Sequence, residues 1–217
     1  MERRDKTSRR GYRAPQRDAA AARTRETIVR ASRDLFEERG WAATTIRLIA
    51  ESADVSQKTV EAVFGTKAAL LEAAVDLAIR GDVDPLTMPQ RAVIAEIERA
   101  PSAGAMLDLH ARHLRVINER SARIAWVVEQ AAADAPVVQA LWEEMNHNRR
   151  YAVAWATKVL LKKPGRRAGL RRKDVEASFW VALDWGTYRT LTQHASLAAS
   201  DYEAWLRRYY RQAFLTC

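Results

Sequence analysis

The segment from Thr44 to Val60 limits the fold more than any other part of the chain, because two short helical patterns meet across a gap that only a tight turn can close. In the first pattern Ile46, Ile49, Ala50 and Ala53 recur at helical spacing and form one apolar stripe. The second begins at Ser56, whose hydroxyl suits a helix N-cap, and its periodicity turns Val60, Val63 and Phe64 inward. Gln57, Lys58 and Glu61 are left facing outward. Two short helices, a tight turn and a polar leading edge make a helix-turn-helix, the unit that lays its second helix in the major groove of DNA.

The flanking sequence is also helical in pattern. Residues 24 to 39 carry Ile28, Ala31, Leu35 and Phe36 on one face and stop at Gly40, a residue that accepts the left-handed conformation of a helix end. Thr66 can cap a further helix that carries Leu70, Leu71, Ala74, Val75 and Ala78 as far as Gly81. The stretch 81–89 holds Pro85 and Pro89 and breaks the pattern, so it reads as a joint between domains. Beyond it the spacing predicts helices over about 90–99, 103–118, 120–133, 136–161, 174–194 and 201–215, with Pro136 in a first turn and Ser200-Glu203 at capping-box spacing. The expected fold is all-α: a basic arm over 1–22, a three-helix domain with a helix-turn-helix over 23–80, and a larger helical regulatory bundle over 90–217.

Charge points to a polyanionic partner. The chain carries a formal net charge of +9, and residues 1 to 25 set nine Arg and Lys against three acidic side chains. Such an arm has too few large apolar residues to fold alone, and next to a groove-reading unit it suits phosphates or the minor groove. The sequence shows no apolar run long enough for a membrane span and no signal-peptide pattern, so the expected compartment is cytoplasmic. The lone cysteine, Cys217, allows no intrachain disulfide.

From Arg25 to about Ala78 the order of residues resembles the DNA-binding domain of TetR-family transcription regulators. The resemblance rests on Ile28, Ala31, Leu35-Phe36, Gly40-Trp41, Thr44-Thr45, Ile49-Ala50, Ala53, Val55-Ser56, Thr59, Phe64, Lys67 and Leu70-Leu71 in register. It implies a homodimer on a palindromic operator and a regulatory half with a small-molecule effector. Two positions depart from the pattern. Asp54 stands where the family usually has Gly, and Asp tolerates positive φ better than most residues. Glu61 stands where most members have a phosphate-contacting Tyr; it can pair with Lys58, accept from a cytosine amino group, or merely be solvated. Within the head, Thr45, Arg47, Ser56 and Lys67 are placed for phosphates, and Gln57, Lys58, Thr59 and Glu61 for base edges.

In the second half, Met106, His110, Trp126, Trp142, Met145 and Trp155 are the candidate lining of an effector cavity. Seven tryptophans are a high load for one chain, and indoles seldom pack without gaps or without a partner for the N–H. Most such residues in a bundle are simply core. His110 and His113 share a helix face, but no third ligand at suitable spacing accompanies them, so no metal and no cofactor are expected. The aromatic stripes of 174–215 are the expected dimer interface. An effector that prefers one dimer shape would move the two heads through the helix from Thr66 to Arg80.

Two other functions fit less well. A sequence-non-specific architectural protein explains the basic arm but leaves the second half idle. A helical-bundle enzyme lacks the repeated, facing Glu-x-x-His pairs of di-metal sites, a phosphate-binding glycine loop and a nucleophile elbow. If the arm lies along phosphates, deleting residues 1–20 weakens DNA binding and flattens its salt dependence in titrations at several ionic strengths; an unchanged slope contradicts that role.

Overall fold

The computed structural model describes residues 13–82 and 86–216, with side chains from residue 18 onward. Most of the arm expected over 1–22, residues 83–85 of the 81–89 joint, and Cys217 lie outside the described residues. Among those described, every regular element is helical. The chain divides into two compact units, residues 1–74 and 75–217.

The first unit contains α1 (Arg13–Ala43), α2 (Ile46–Ser52), α3 (Gln57–Phe64) and the start of α4 (Lys67–Arg80). Ile28, Leu35, Phe36, Ile49, Val60, Leu70 and Leu71 are buried together in its core. Each contributes roughly 1.5–3 kcal/mol by leaving water. Regular helix in α1 is interrupted at Gly40, whose φ of 73° a side chain would strain. Just beyond it the buried hydroxyl of Thr44 donates toward the carbonyls of Leu35 and Gly40, at 3.1 and 2.8 Å, and so ties the end of α1 to the start of α2.

The second unit holds the end of α4 and then α5 (Ala92–Arg99), α6 (Ala103–Ala132), α7 (Pro136–Leu161), α8 (Arg172–Ala182), α9 (Trp185–Arg189) and α10 (Ala199–Phe214). Where the sequence suggested two helices over 103–118 and 120–133, α6 is continuous. Its central polar residues are buried and bonded inside the bundle: Asn118 Nδ2 donates to Tyr202 Oη at 3.1 Å while its Oδ1 is left without a partner, and Ser121 Oγ donates to the Ile117 carbonyl at 2.8 Å. The expected helix 174–194 is instead broken at Leu183. Asp184 is an N-cap there, its carboxylate accepting from Thr187 N at 2.8 Å. The last helix starts at Ala199 with Ala198 as N-cap, so Ser200 does not cap it.

The basic loop 162–173 is largely pinned by its own cations. Lys163 Nζ donates to the carbonyls of Glu98 and Ala100, both at 2.6 Å, Arg166 Nε donates to the Leu161 carbonyl, and Arg171 pairs with Asp174. Arg120 does the same for α4, donating to the carbonyls of Ala78 and Ile79 at 3.2 and 3.0 Å.

His110 is 4% exposed, and its Nδ1 shares a 2.9 Å hydrogen bond with Tyr210 Oη. Burial, then the neighbouring His113, lowers its pKa to about 3, and burial followed by Arg120 lowers that of His113 to about 4. Both imidazoles are neutral in the folded protein at pH 7. Because the unfolded chain binds these protons near pH 6.5, stability present above that pH is lost as pH falls toward the folded values. Acidification from pH 7 to 5 is expected to remove about 2 kcal/mol through His110 alone. Urea unfolding followed at both pH values should show this loss, and a smaller loss in His110→Gln.

Candidate nucleic-acid interface

The local sequence sets the turn between α2 and α3 residue by residue. Ala53 closes α2, and Asp54 adopts φ 52°, the conformation that glycine would take most readily. Val55 N then donates back to the Ala50 carbonyl at 3.0 Å, satisfying a carbonyl that the helix end would otherwise leave free. Ser56 opens α3 as its N-cap, accepting from Thr59 N at 3.0 Å. Thr45 caps α2 in the same way, accepting from Leu48 N at 3.2 Å. Two caps and one left-handed residue thus fix the angle at which α3 stands.

Val60 is buried beneath α3, whereas Gln57, Lys58, Glu61 and Ala62 are exposed on its outer side. The expectation for Val63 does not hold, since it is 37% exposed. Phe64 is half-buried, and the Arg25 guanidinium covers its ring at 4.3 Å from the centroid. Ala62 escaped the sequence reading, although it stands one turn beyond Lys58 and so shares its face; its methyl can meet a thymine methyl.

The predicted contact residues fall into three groups. Gln57, Lys58 and Glu61 come together on the outer face, but Glu61 is held by Gln57 rather than Lys58, with Gln57 Nε2 donating to Glu61 Oε1 at 2.7 Å. Thr45, Arg47 and Ser56 are exposed around the start of each short helix, and Arg47 pairs with Glu51 at 2.8 Å. Thr59 and Lys67 are half-buried and already hydrogen-bonded within the head. The Thr59 hydroxyl lies 2.8 Å from Ser56 Oγ. Lys67 Nζ donates to the carbonyls of Trp41 and Thr44 at 2.9 and 3.1 Å and sits 4.0 Å over the Trp41 ring. Burial lowers its pKa below the usual lysine value.

In the second unit the six candidate lining residues do not converge. Met106 belongs to the buried core, Trp155 packs against that core, and the His110 ring lies tilted toward Trp155 and edge-on to Phe179. Trp155 Nε1 donates to Glu98 Oε1 at 2.8 Å. Trp126, Trp142 and Met145 lie outside that core cluster. Trp126 is 39% exposed under the Arg189 guanidinium, and Trp142 faces Trp185. A cleft of about 190 Å³ opens elsewhere, among Arg167, Arg171, Asp174, Ser178 and Phe214, and shares no residue with the six. Glu144 and His147 do have Glu-x-x-His spacing, but both are exposed. Among the described residues no three His, Cys, Asp or Glu side chains gather as metal ligands. No helix among them is long and apolar enough to cross a membrane.

Residues 28–90 match the family model for bacterial regulatory proteins of the tetR family. Over these residues the head is of the TetR type. Across about nine-tenths of the chain the fold is shared with solved structures of transcription regulators, as three of them illustrate. One is a protein of Mesorhizobium loti assigned to that family, with a TM-score of 0.64 and 17% identity, covering 90% of this chain and 98% of its own. NalD of Pseudomonas aeruginosa, described as the secondary repressor of the MexAB-OprM multidrug efflux pump, gives 0.64 and 18% over 89% and 97%. A transcriptional regulator of Saccharomonospora viridis, solved with choline, gives 0.65 and 15% over 90% and 100%. No curated protein matches this sequence. At such identities the structures establish a shared fold, and the family model independently assigns the head.

In this TetR-type head Lys67 acts as an internal clamp between the end of α1 and the start of α4. Replacing it with Met keeps the stem and removes two hydrogen bonds, which should cost the head about 1–3 kcal/mol. Hydrogen exchange should then quicken over residues 41–53 and stay unchanged over 103–132; equal exchange in both proteins over 41–53 contradicts the clamp.

Proposed function

We propose that this TetR-fold protein is a homodimeric repressor that sets two α3 helices into successive major grooves of a palindromic operator and is released by a small-molecule effector. The observation that carries the proposal is the exposed surface of α3, polar Gln57, Lys58 and Glu61 with the methyl of Ala62, over a buried Val60. These four residues would meet base edges, and Thr45, Arg47 and Ser56 would meet phosphates. Lys67 and Thr59 would position the others.

The dimer would use α8 and α10, where Val181 is 48% exposed and Trp180, Trp205 and Tyr209 are half-buried. The aromatic surplus of 201–215 is smaller than its sequence suggests, because Tyr202, Tyr210 and Phe214 are buried within the chain's own bundle. Met106, His110 and Trp155 would line the effector site, and the His110–Tyr210 hydrogen bond is the contact a polar effector would displace. Arg120, which holds the last carbonyls of α4, would pass the displacement into that helix. The repressor name of NalD and the choline bound to the Saccharomonospora protein agree with this reading.

Footprinting on fragments of the source genome tests the proposal. The expected result is a protected, roughly palindromic stretch with half-site centres about 34 Å or a multiple apart. Uniform coverage of every duplex contradicts it and favours an architectural protein.

A further inference from the structure

We infer that Gln57 and Glu61 act as one reading element that selects an amino-bearing base, cytosine above all, at one position of each half-site and rejects guanine there. The inference rests on the proposed insertion of α3 into the major groove and names the chemistry it reads.

A lone glutamine is suited to adenine, donating to N7 and accepting from the N6 amino group. Here one Nε2–H is engaged by Glu61 Oε1 at 2.7 Å. Left to face the groove are Gln57 Oε1, the remaining Glu61 oxygen and a single N–H, a set rich in acceptors and carrying a negative charge. Guanine offers O6 and N7, both acceptors, so its lone pairs would oppose the carboxylate. Cytosine offers the N4 amino group, a donor that either oxygen can take. Adenine is second, because its N6 amino group is accompanied by an N7 lone pair.

Position makes the pair usable. Gln57 and Glu61 are one helical turn apart and both exposed, on the flank of α3 between buried Val60 and the outermost residues Lys58 and Ala62. Lys58 is exposed beside them and partly offsets the local charge without bonding Glu61 in the structure. The carboxylate lowers affinity for the duplex backbone in general, so its presence shifts the balance from affinity toward selectivity.

Selection from randomised duplexes with the full chain, compared with Glu61→Gln and Gln57→Ala, tests the inference. Wild type should fix cytosine, with adenine next, at one position per half-site. Glu61→Gln should relax that position roughly ten-fold, raise binding to non-specific duplex several-fold, and leave the other selected positions unchanged. Gln57→Ala should relax it less, since the carboxylate remains. The same base at the same ratio in Glu61→Gln, or guanine fixed by wild type at the position that Glu61→Gln alters, overturns the inference while leaving DNA binding intact. Wild type that enriches no sequence overturns the underlying reading of α3 as well.

Discussion

The turn at Asp54 and Ser56 is the constraint on which the head depends. A left-handed residue, a backward hydrogen bond from Val55 N to the Ala50 carbonyl and the Ser56 cap together allow one exit direction for α3. With that direction set, Val60 is buried as Ile49 is, and Gln57, Lys58, Glu61 and Ala62 are left exposed. A change that let the turn relax would rotate every outward side chain at once. The surrounding supports share this purpose: the Thr44 hydroxyl closes α1 onto α2, and Lys67 fastens the start of α4 to the same corner.

Cations in this protein do two different jobs, and charge count alone does not separate them. Lys67, Lys163, Arg120 and Arg166 donate to backbone carbonyls, most of them near helix ends, where they replace hydrogen bonds that the chain cannot make locally. Lys58 and Arg47 are exposed on the reading unit, where a nucleic acid can reach them. The basic loop 162–173 therefore contributes less to a polyanion-binding surface than its composition implies. The net charge of +9 still favours approach to DNA, since long-range attraction depends on total charge rather than on which ion is paired.

Helix spacing made the head legible in the sequence, because each short helix has one buried side and a cap: Ile49, Ala50 and Val60 point inward, and Thr45 and Ser56 cap. Val63 shows the limit of that reading. At the end of an eight-residue helix the apolar arc is wider than the core it faces, so one apolar residue is left at the surface. In the second half, periodicity found the helices but misjudged polar residues. Asn118 stood at the expected end of a helix and is a buried partner inside α6, whereas Asp184, within the expected helix 174–194, caps a shorter one. The six proposed lining residues divided because composition counts tryptophans without saying which element each one meets. Trp155 found Glu98, and Trp126 found Arg189.

The central claim is that the outer face of α3 touches base edges. Site-specific photocrosslinking measures this contact directly, with a photoreactive residue at Ala62 in one protein and at the exposed Glu144 of α7 in another. The account predicts crosslinks from position 62 to bases in the major groove of a bound fragment and none from position 144. Crosslinks from position 144 with none from position 62 would contradict it.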